Sequence, residues 1–139
     1  TVDELLGVSI IKKKAKYDEI NEKWKDNNKN NFHLENTELM KNALKMFPND
    51  ALLLVQLSSS LEKIDGTEEE KKKYLTESIA VQEQIIRYCD DCEVRGATLY
   101  NICFAYWKIG EHDKAISQAK KLSNLYKSRE NALEQGYVV

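Results

Sequence analysis

The spacing of apolar and small side chains across residues 98–122 constrains the fold of this chain more than any other feature. Four of these side chains recur at i, i+3, i+4 and i+7, which is one face of an α-helix: Leu99, Ile102, Cys103 and Tyr106. Gly110 follows and ends that helix, and Ala115 then opens a matching apolar face on a return helix. The stretch therefore predicts two helices that cross closely at small side chains.

The order of these residues resembles one tetratricopeptide repeat (TPR), in which a large apolar residue, a small one, an aromatic, a glycine turn and an alanine succeed one another. The same phase recurs ahead of the Asp65-Gly66 turn, at Leu54, Leu57, Ser58 and Leu61. A degenerate version precedes the asparagine-rich loop at residues 27–31, at Tyr17, Ile20, Asn21 and Trp24. The resemblance implies helical hairpins that stack on one another, which is the architecture of a binding scaffold.

We predict an all-α fold, a TPR-like right-handed stack of about three antiparallel helical hairpins. The hairpins are expected at residues 9–48, 51–89 and 94–126 of a domain spanning residues 9–139, with a short capping segment after them. Apolar periodicity and helix breakers indicate individual helices at residues 9–26, 34–47, 51–64, 67–88 and 113–126. Thr67 with Glu70 is expected to cap the fourth helix, and Asp90 with Glu93 the fifth. With 5 Gly and 1 Pro, the chain has few helix breakers and little room for a β-rich fold.

The charge of the chain argues against direct binding to nucleic acid. Its net charge is −2, and its basic residues cluster only at Lys12–Lys14 with Lys16 and at Lys71–Lys73, whereas a phosphate backbone requires clustered cations. The longest apolar run, Ala51–Val55, is too short to span a bilayer. We expect a cytoplasmic protein with no membrane partner.

Neither a catalytic site nor a metal site is indicated. Cys89 and Cys92 flank an acidic pair, but no strand pattern precedes them, as a redox motif would require. Zinc would need two further ligands, for which Cys103 and His112 are the candidates, and Cys103 lies on the predicted packing face. No nucleophile, base and acid fall on a catalytic motif. We expect a non-enzymatic protein with no cofactor, no metal and reduced thiols, and keep a thiol or metal switch as an alternative.

Residues one step off the packing face of the third and fifth helices are expected to line the concave face of the stack. They are Val55, Gln56, Ser59, Glu62, Lys63, Tyr100, Asn101, Phe104 and Lys108. Gln56 and Asn101 occupy the same repeat position, and their carboxamides are suited to pairing with the backbone of an extended peptide. The same face is equally suited to a helix of this chain or of a second chain.

Two further segments resemble parts of bacterial transcriptional regulators. Residues 1–7, TVDELLG, resemble the last helix of the Cro/CI-type (XRE family) helix-turn-helix domain. Residues 85–133 are similar to the TPR-like C-terminal regions of Gram-positive regulators of this class, with a Cys-acidic turn at Cys89–Glu93 before the repeat and Tyr126–Glu130 after it. Residues 1–8 are then the tail of a DNA-binding domain or a linker.

The resemblance implies the effector-sensing and oligomerisation half of such a regulator, which forms a homodimer and reaches DNA only through helices before Thr1. Some relatives bind small signalling peptides in the concave groove. A general TPR adaptor that holds a partner protein or peptide, without a role in transcription, is the second interpretation.

Replacing Ala115 with Phe tests the phase assigned to the third hairpin. A bulky ring at the helix crossing should overpack it and lower the free energy of unfolding by roughly 1–3 kcal/mol. Thermal melting of the variant measures the effect, and a melting curve that matches the wild type would show that the assigned phase is wrong.

Overall fold

The computed structural model describes residues 1–122, and within that range the chain is entirely α-helical, as predicted. Six helices follow one another, and the sixth, α6, occupies residues 112–122. The first five are α1 (Val2–Lys29), α2 (His33–Met46), α3 (Ala51–Lys63), α4 (Glu68–Tyr88) and α5 (Cys92–Lys108). The predicted end of the sixth helix, the capping segment and Tyr126–Glu130 lie outside the described residues.

Side-chain caps fix where the helices begin. The hydroxyl of Thr1 accepts a hydrogen bond from the Glu4 backbone at 3.2 Å, and the Thr1 amine donates to Glu4 Oε2 at 3.2 Å, which forms a capping box. Because this cap is in place, α1 begins at Val2 and not at Ser9. The hydroxyl of Thr67 accepts from the Glu70 backbone at 3.2 Å, as predicted.

The predicted cap of α5 is wrong by one residue. Asp91, and not Asp90, is the N-cap, and its Oδ1 accepts from the backbone of Glu93 and Val94 at 2.9 and 3.2 Å. An N-cap side chain bonds to the amides two and three positions ahead. Since α5 begins at Cys92, its second and third amides belong to Glu93 and Val94, which lie two and three positions ahead of Asp91 but three and four ahead of Asp90.

Each helix contacts the next one along the chain from α1 to α5. The largest hydrophobic cluster lies among α1 to α4, and its members include Ile20, Met40, Leu53, Leu54, Leu57, Leu61, Val81 and Ile85. A second cluster lies among α4, α5 and α6, and comprises Ile79, Ile102, Ala105, Tyr106 and Ala115. Helix α4 therefore contributes to both clusters.

Polar contacts fix the second half of α1 against its neighbours. The Tyr17 hydroxyl donates to Asp50 Oδ1 at 3.0 Å, and the Trp24 ring nitrogen donates to Ser60 Oγ at 3.0 Å. Asn36 donates from its side chain to the Trp24 carbonyl at 3.0 Å. Helix α1 is thereby joined to α2, to α3 and to the turn between them.

The buried face of α5 differs from the predicted one. Its buried residues are Thr98, Ile102, Ala105 and Tyr106, whereas Leu99 and Cys103 are only half-buried. The reason is that α5 packs against α4 on one side and α6 on another, so that two overlapping faces replace a single stripe. Among the other predicted packing residues, Leu54, Leu57, Ser58, Leu61 and Ala115 are buried. Gly110 follows the end of α5 with a φ of 85°, in the left-handed region that favours glycine.

Truncating Leu61 and Leu52 to alanine tests the position of the main core. Both residues lie on α3, but Leu61 is 1% exposed and Leu52 is 46% exposed. Leu61→Ala should lower the free energy of unfolding by about 2–5 kcal/mol, because it leaves a cavity. Leu52→Ala should change it by about 0.5 kcal/mol or less. Chemical denaturation compares the two variants, and equal losses would contradict this packing.

Candidate functional site

A groove of about 320 Å³ lies between α3 and α5, with α4 at its base. Six polar side chains line it: Ser58, Ser59, Glu62, Gln82, Thr98 and Asn101. Its apolar lining comes from Val55, Ile85, Val94 and Ala97. Helices α3, α4 and α5, which are consecutive in the sequence, thus contribute to one surface.

The carboxylate of Glu62 is held in place by two buried side chains of α4. Gln82 Nε2 donates to Glu62 Oε1 at 2.8 Å, and the Ser78 hydroxyl lies 3.2 Å from the same oxygen. Ser78 and Gln82 also contact each other at 3.1 Å, and Ser78 Oγ lies 3.2 Å from the Ser58 carbonyl oxygen. Ser78 is 0% and Gln82 3% exposed, whereas Glu62 is exposed. The result is a surface carboxylate with a fixed orientation.

The amide oxygen of Gln82 is buried and has no hydrogen-bond partner among the described residues. Buried polar atoms are nearly always paired, with protein groups or with ordered water. Gln82 lines the groove, although its amide oxygen is shielded from solvent.

Helix α5 forms the wall of the groove that lies opposite α3. The Thr98 hydroxyl donates to the Val94 carbonyl at 2.7 Å, which leaves the Asn101 carboxamide as the exposed polar group of that wall.

The Tyr106 hydroxyl donates to the Glu83 carboxylate and so joins α5 to α4. Burial, followed by the contact with Glu83, raises the pKa of Tyr106 well above its ordinary value.

The residues predicted to form the concave face are divided among several places. Val55, Ser59, Glu62 and Asn101 line the groove together. Gln56 is buried at 6% exposure and does not line it, so the two carboxamides at the same repeat position do not share a surface.

The remaining predicted residues lie elsewhere. Lys63 donates to Asn28 Oδ1 at 3.3 Å and lines a second cleft, beside the turn between α1 and α2, which Glu62 also lines. Tyr100 and Phe104 line the apolar groove described below, and Lys108 is exposed at the end of α5.

Sequence reasoning missed the contribution of α4 to the groove. The available signal was the pair Ser78 and Gln82, two polar residues four positions apart that interrupt the apolar face of α4 around Ile79 and Ile85. A polar pair at that spacing inside an apolar face indicates a hydrogen-bonded contact with a neighbouring helix, here with Glu62.

A second, apolar groove of about 520 Å³ lies between α5 and α6. Its lining is Tyr100, Cys103, Phe104, Trp107, Ala115, Ile116, Ala119 and Leu122. The rings of Tyr100 and Phe104 meet edge to face at 5.1 Å, and Trp107 stacks on His112 at 4.1 Å. Such aromatic side chains are enriched where proteins contact one another.

The cysteines give no metal-binding cluster within residues 1–122. Cys89 is buried and Cys92 is exposed, and all three thiols are free. No group of three or more His, Cys, Asp or Glu side chains in that range is arranged to hold a metal ion. Burial raises the pKa of the Cys103 thiol, which lowers its thiolate fraction at neutral pH.

None of the helices in the described part of the chain is both long enough and apolar enough to cross a membrane. Comparison of the chain with protein-family models, with curated proteins and with solved structures finds no significant match.

Burial of Tyr106, together with its contact with Glu83, makes stability depend on pH in the alkaline range. Because the pKa of Tyr106 is raised on folding, the unfolded chain loses this proton at a lower pH than the folded chain does. The contribution is constant below about pH 9, and stability falls as pH rises above about 10. Tyr106→Phe should reduce that fall by up to about 1.4 kcal/mol per pH unit.

Chemical denaturation over about pH 8 to 11 measures the slope. Tyr100→Phe is the matched control, because Tyr100 is 51% exposed, and it should retain the wild-type slope. A Tyr106→Phe variant with the wild-type slope would contradict the raised pKa of Tyr106 in the folded chain.

Proposed function

We propose that this chain is a non-enzymatic protein-interaction, effector-sensing and oligomerisation domain of a helix-turn-helix transcriptional regulator of the XRE family. The groove between α3 and α5 carries this proposal, because it joins an exposed carboxamide, an oriented carboxylate and apolar walls on one surface. Those groups suit an extended peptide, whose backbone both donates and accepts hydrogen bonds.

A TPR-like stack is part of the proposal. Its support is the contact of each helix with the next along the chain, from α1 to α5, which is typical of repeat proteins. The spacing at Leu99, Ile102, Cys103 and Tyr106 and its counterpart on α3 also support it.

An effector in the groove would touch α3, α4 and α5 at once. A ligand shifts a conformational equilibrium only as far as its affinity differs between the two states. A ligand that contacts all three helices would bind two conformations with different affinities, because any change in the spacing of α3 and α5 alters the groove.

Helix α1 supplies a continuous link to the segment that resembles a helix-turn-helix domain. Residues 2–7 form the first turns of α1, which continues without interruption to Lys29. The second half of the same helix is bonded to α2 and α3 through Trp24. In the proposed regulator, a change in the hairpins therefore reaches the DNA-binding helices before Thr1 through one rigid element, in a cytoplasmic homodimer.

Selection of DNA from a random pool with the full-length protein tests the proposal. The regulator should enrich one sequence made of two half-sites about 34 Å apart, the spacing expected for a dimer with a helix-turn-helix in each subunit. Residues 1–139 alone serve as the control and should enrich none. A full-length protein that enriches no sequence would overturn the role in transcription.

A general TPR adaptor is the second candidate, and the apolar groove between α5 and α6 favours it. Its exposed aromatic side chains, Tyr100, Phe104 and Trp107, suit a protein partner. An adaptor would bind peptide or protein while the DNA selection gave no sequence, which separates the two candidates.

A further inference from the structure

Glu62 gives the groove between α3 and α5 a negative charge. Within residues 1–122, it is the one charged side chain that lines this groove, and no Lys or Arg there neutralises it. Both hydrogen bonds from α4 reach its Oε1 atom, and no described residue donates to Oε2. The carboxylate is therefore oriented by the protein and remains able to accept from a ligand.

Gln82 lies at the floor of the groove and is largely buried. Gln82 Oε1 is buried and lacks a partner among the described residues, while Gln82 Nε2 is committed to Glu62 and Ser78. The exposed carboxylate of Glu62 is therefore the charged acceptor that this groove offers. The groups that match it carry several donors, no acceptor and a positive charge, which are the properties of a lysine ammonium or an arginine guanidinium.

The apolar lining fits the rest of such a side chain. Val55, Ile85 and Val94 line the same groove, and lysine and arginine bury their methylene stems along apolar surface while the charged end meets a polar group. An acidic side chain would instead meet the charge of Glu62 without a cation to offset it.

We infer, given the interaction role proposed above, that the groove recognises an extended peptide through one lysine or arginine side chain that pairs with Glu62. Asn101 pairs with the peptide backbone at the opposite wall. Ser78 and Gln82 are positioning residues, which hold the Glu62 carboxylate.

Selection of a phage-displayed random peptide library on residues 1–139 tests this inference. The selected peptides should align on one position that is lysine or arginine. The best lysine peptide is then synthesised together with its norleucine counterpart, which keeps the stem and removes the charge. Titration calorimetry should show that norleucine weakens binding to the wild-type protein by about tenfold or more.

Glu62→Gln completes a double-mutant cycle. This variant keeps an acceptor oxygen for Ser78 and Gln82 but removes the charge. It should bind the lysine peptide about tenfold more weakly than the wild type does, and it should no longer distinguish lysine from norleucine. Glu69→Gln, an exposed carboxylate in the first turn of α4, is the matched control and should behave as the wild type.

The outcomes separate this inference from the proposed function. Selected peptides without a basic position, or lysine peptides whose affinity does not change with norleucine, would overturn the role of Glu62 while leaving an interaction domain. No enriched peptide at all would overturn peptide binding itself. Because the norleucine comparison uses wild-type protein, it decides the question even if Glu62→Gln does not fold.

Discussion

Burial of α4 on two sides is the constraint on which the rest of the described structure depends. Val81 and Ile85 belong to the cluster shared with α1, α2 and α3, whereas Ile79 belongs to the cluster shared with α5 and α6. Without α4, both clusters would leave apolar side chains exposed to water, which is unfavourable. The positions of α3 and α5, and with them the width of the groove, follow from how α4 packs on both sides.

Helix α4 also carries the two polar side chains that orient the Glu62 carboxylate in the groove. Ser78 and Gln82 are among the most buried residues of the chain, and burying such groups is unfavourable unless they are hydrogen-bonded. Their contact with Glu62 and with the Ser58 carbonyl meets most of that requirement and joins α4 to α3. The amide oxygen of Gln82 has no hydrogen-bond partner among the described residues.

The sequence predicts helix limits well and side-chain direction less well. Breakers and caps place α2, α3 and α4 within one residue of their observed limits, because cap chemistry is local. Local cap chemistry does not predict that Gln56 and Asn101 lie on different surfaces. Residues at equivalent repeat positions share a surface only if their two helices have equivalent neighbours. Helix α3 packs against both α2 and α4, and Gln56 is buried there, whereas Asn101 remains exposed. The contact of Gln82 with Glu62 was not predicted, because it depends on a residue of another helix.

The length of α1 has a geometric consequence. The first buried side chain of this helix is Ile20, and at 1.5 Å per residue Val2 lies about 27 Å further along the helix axis. A tilt of about 10° at Ile20 would move the start of the helix by about 5 Å, which is close to one helical turn. A displacement at Ile20 that is too small to disturb the packing around Trp24 therefore corresponds to a much larger one at the start of α1.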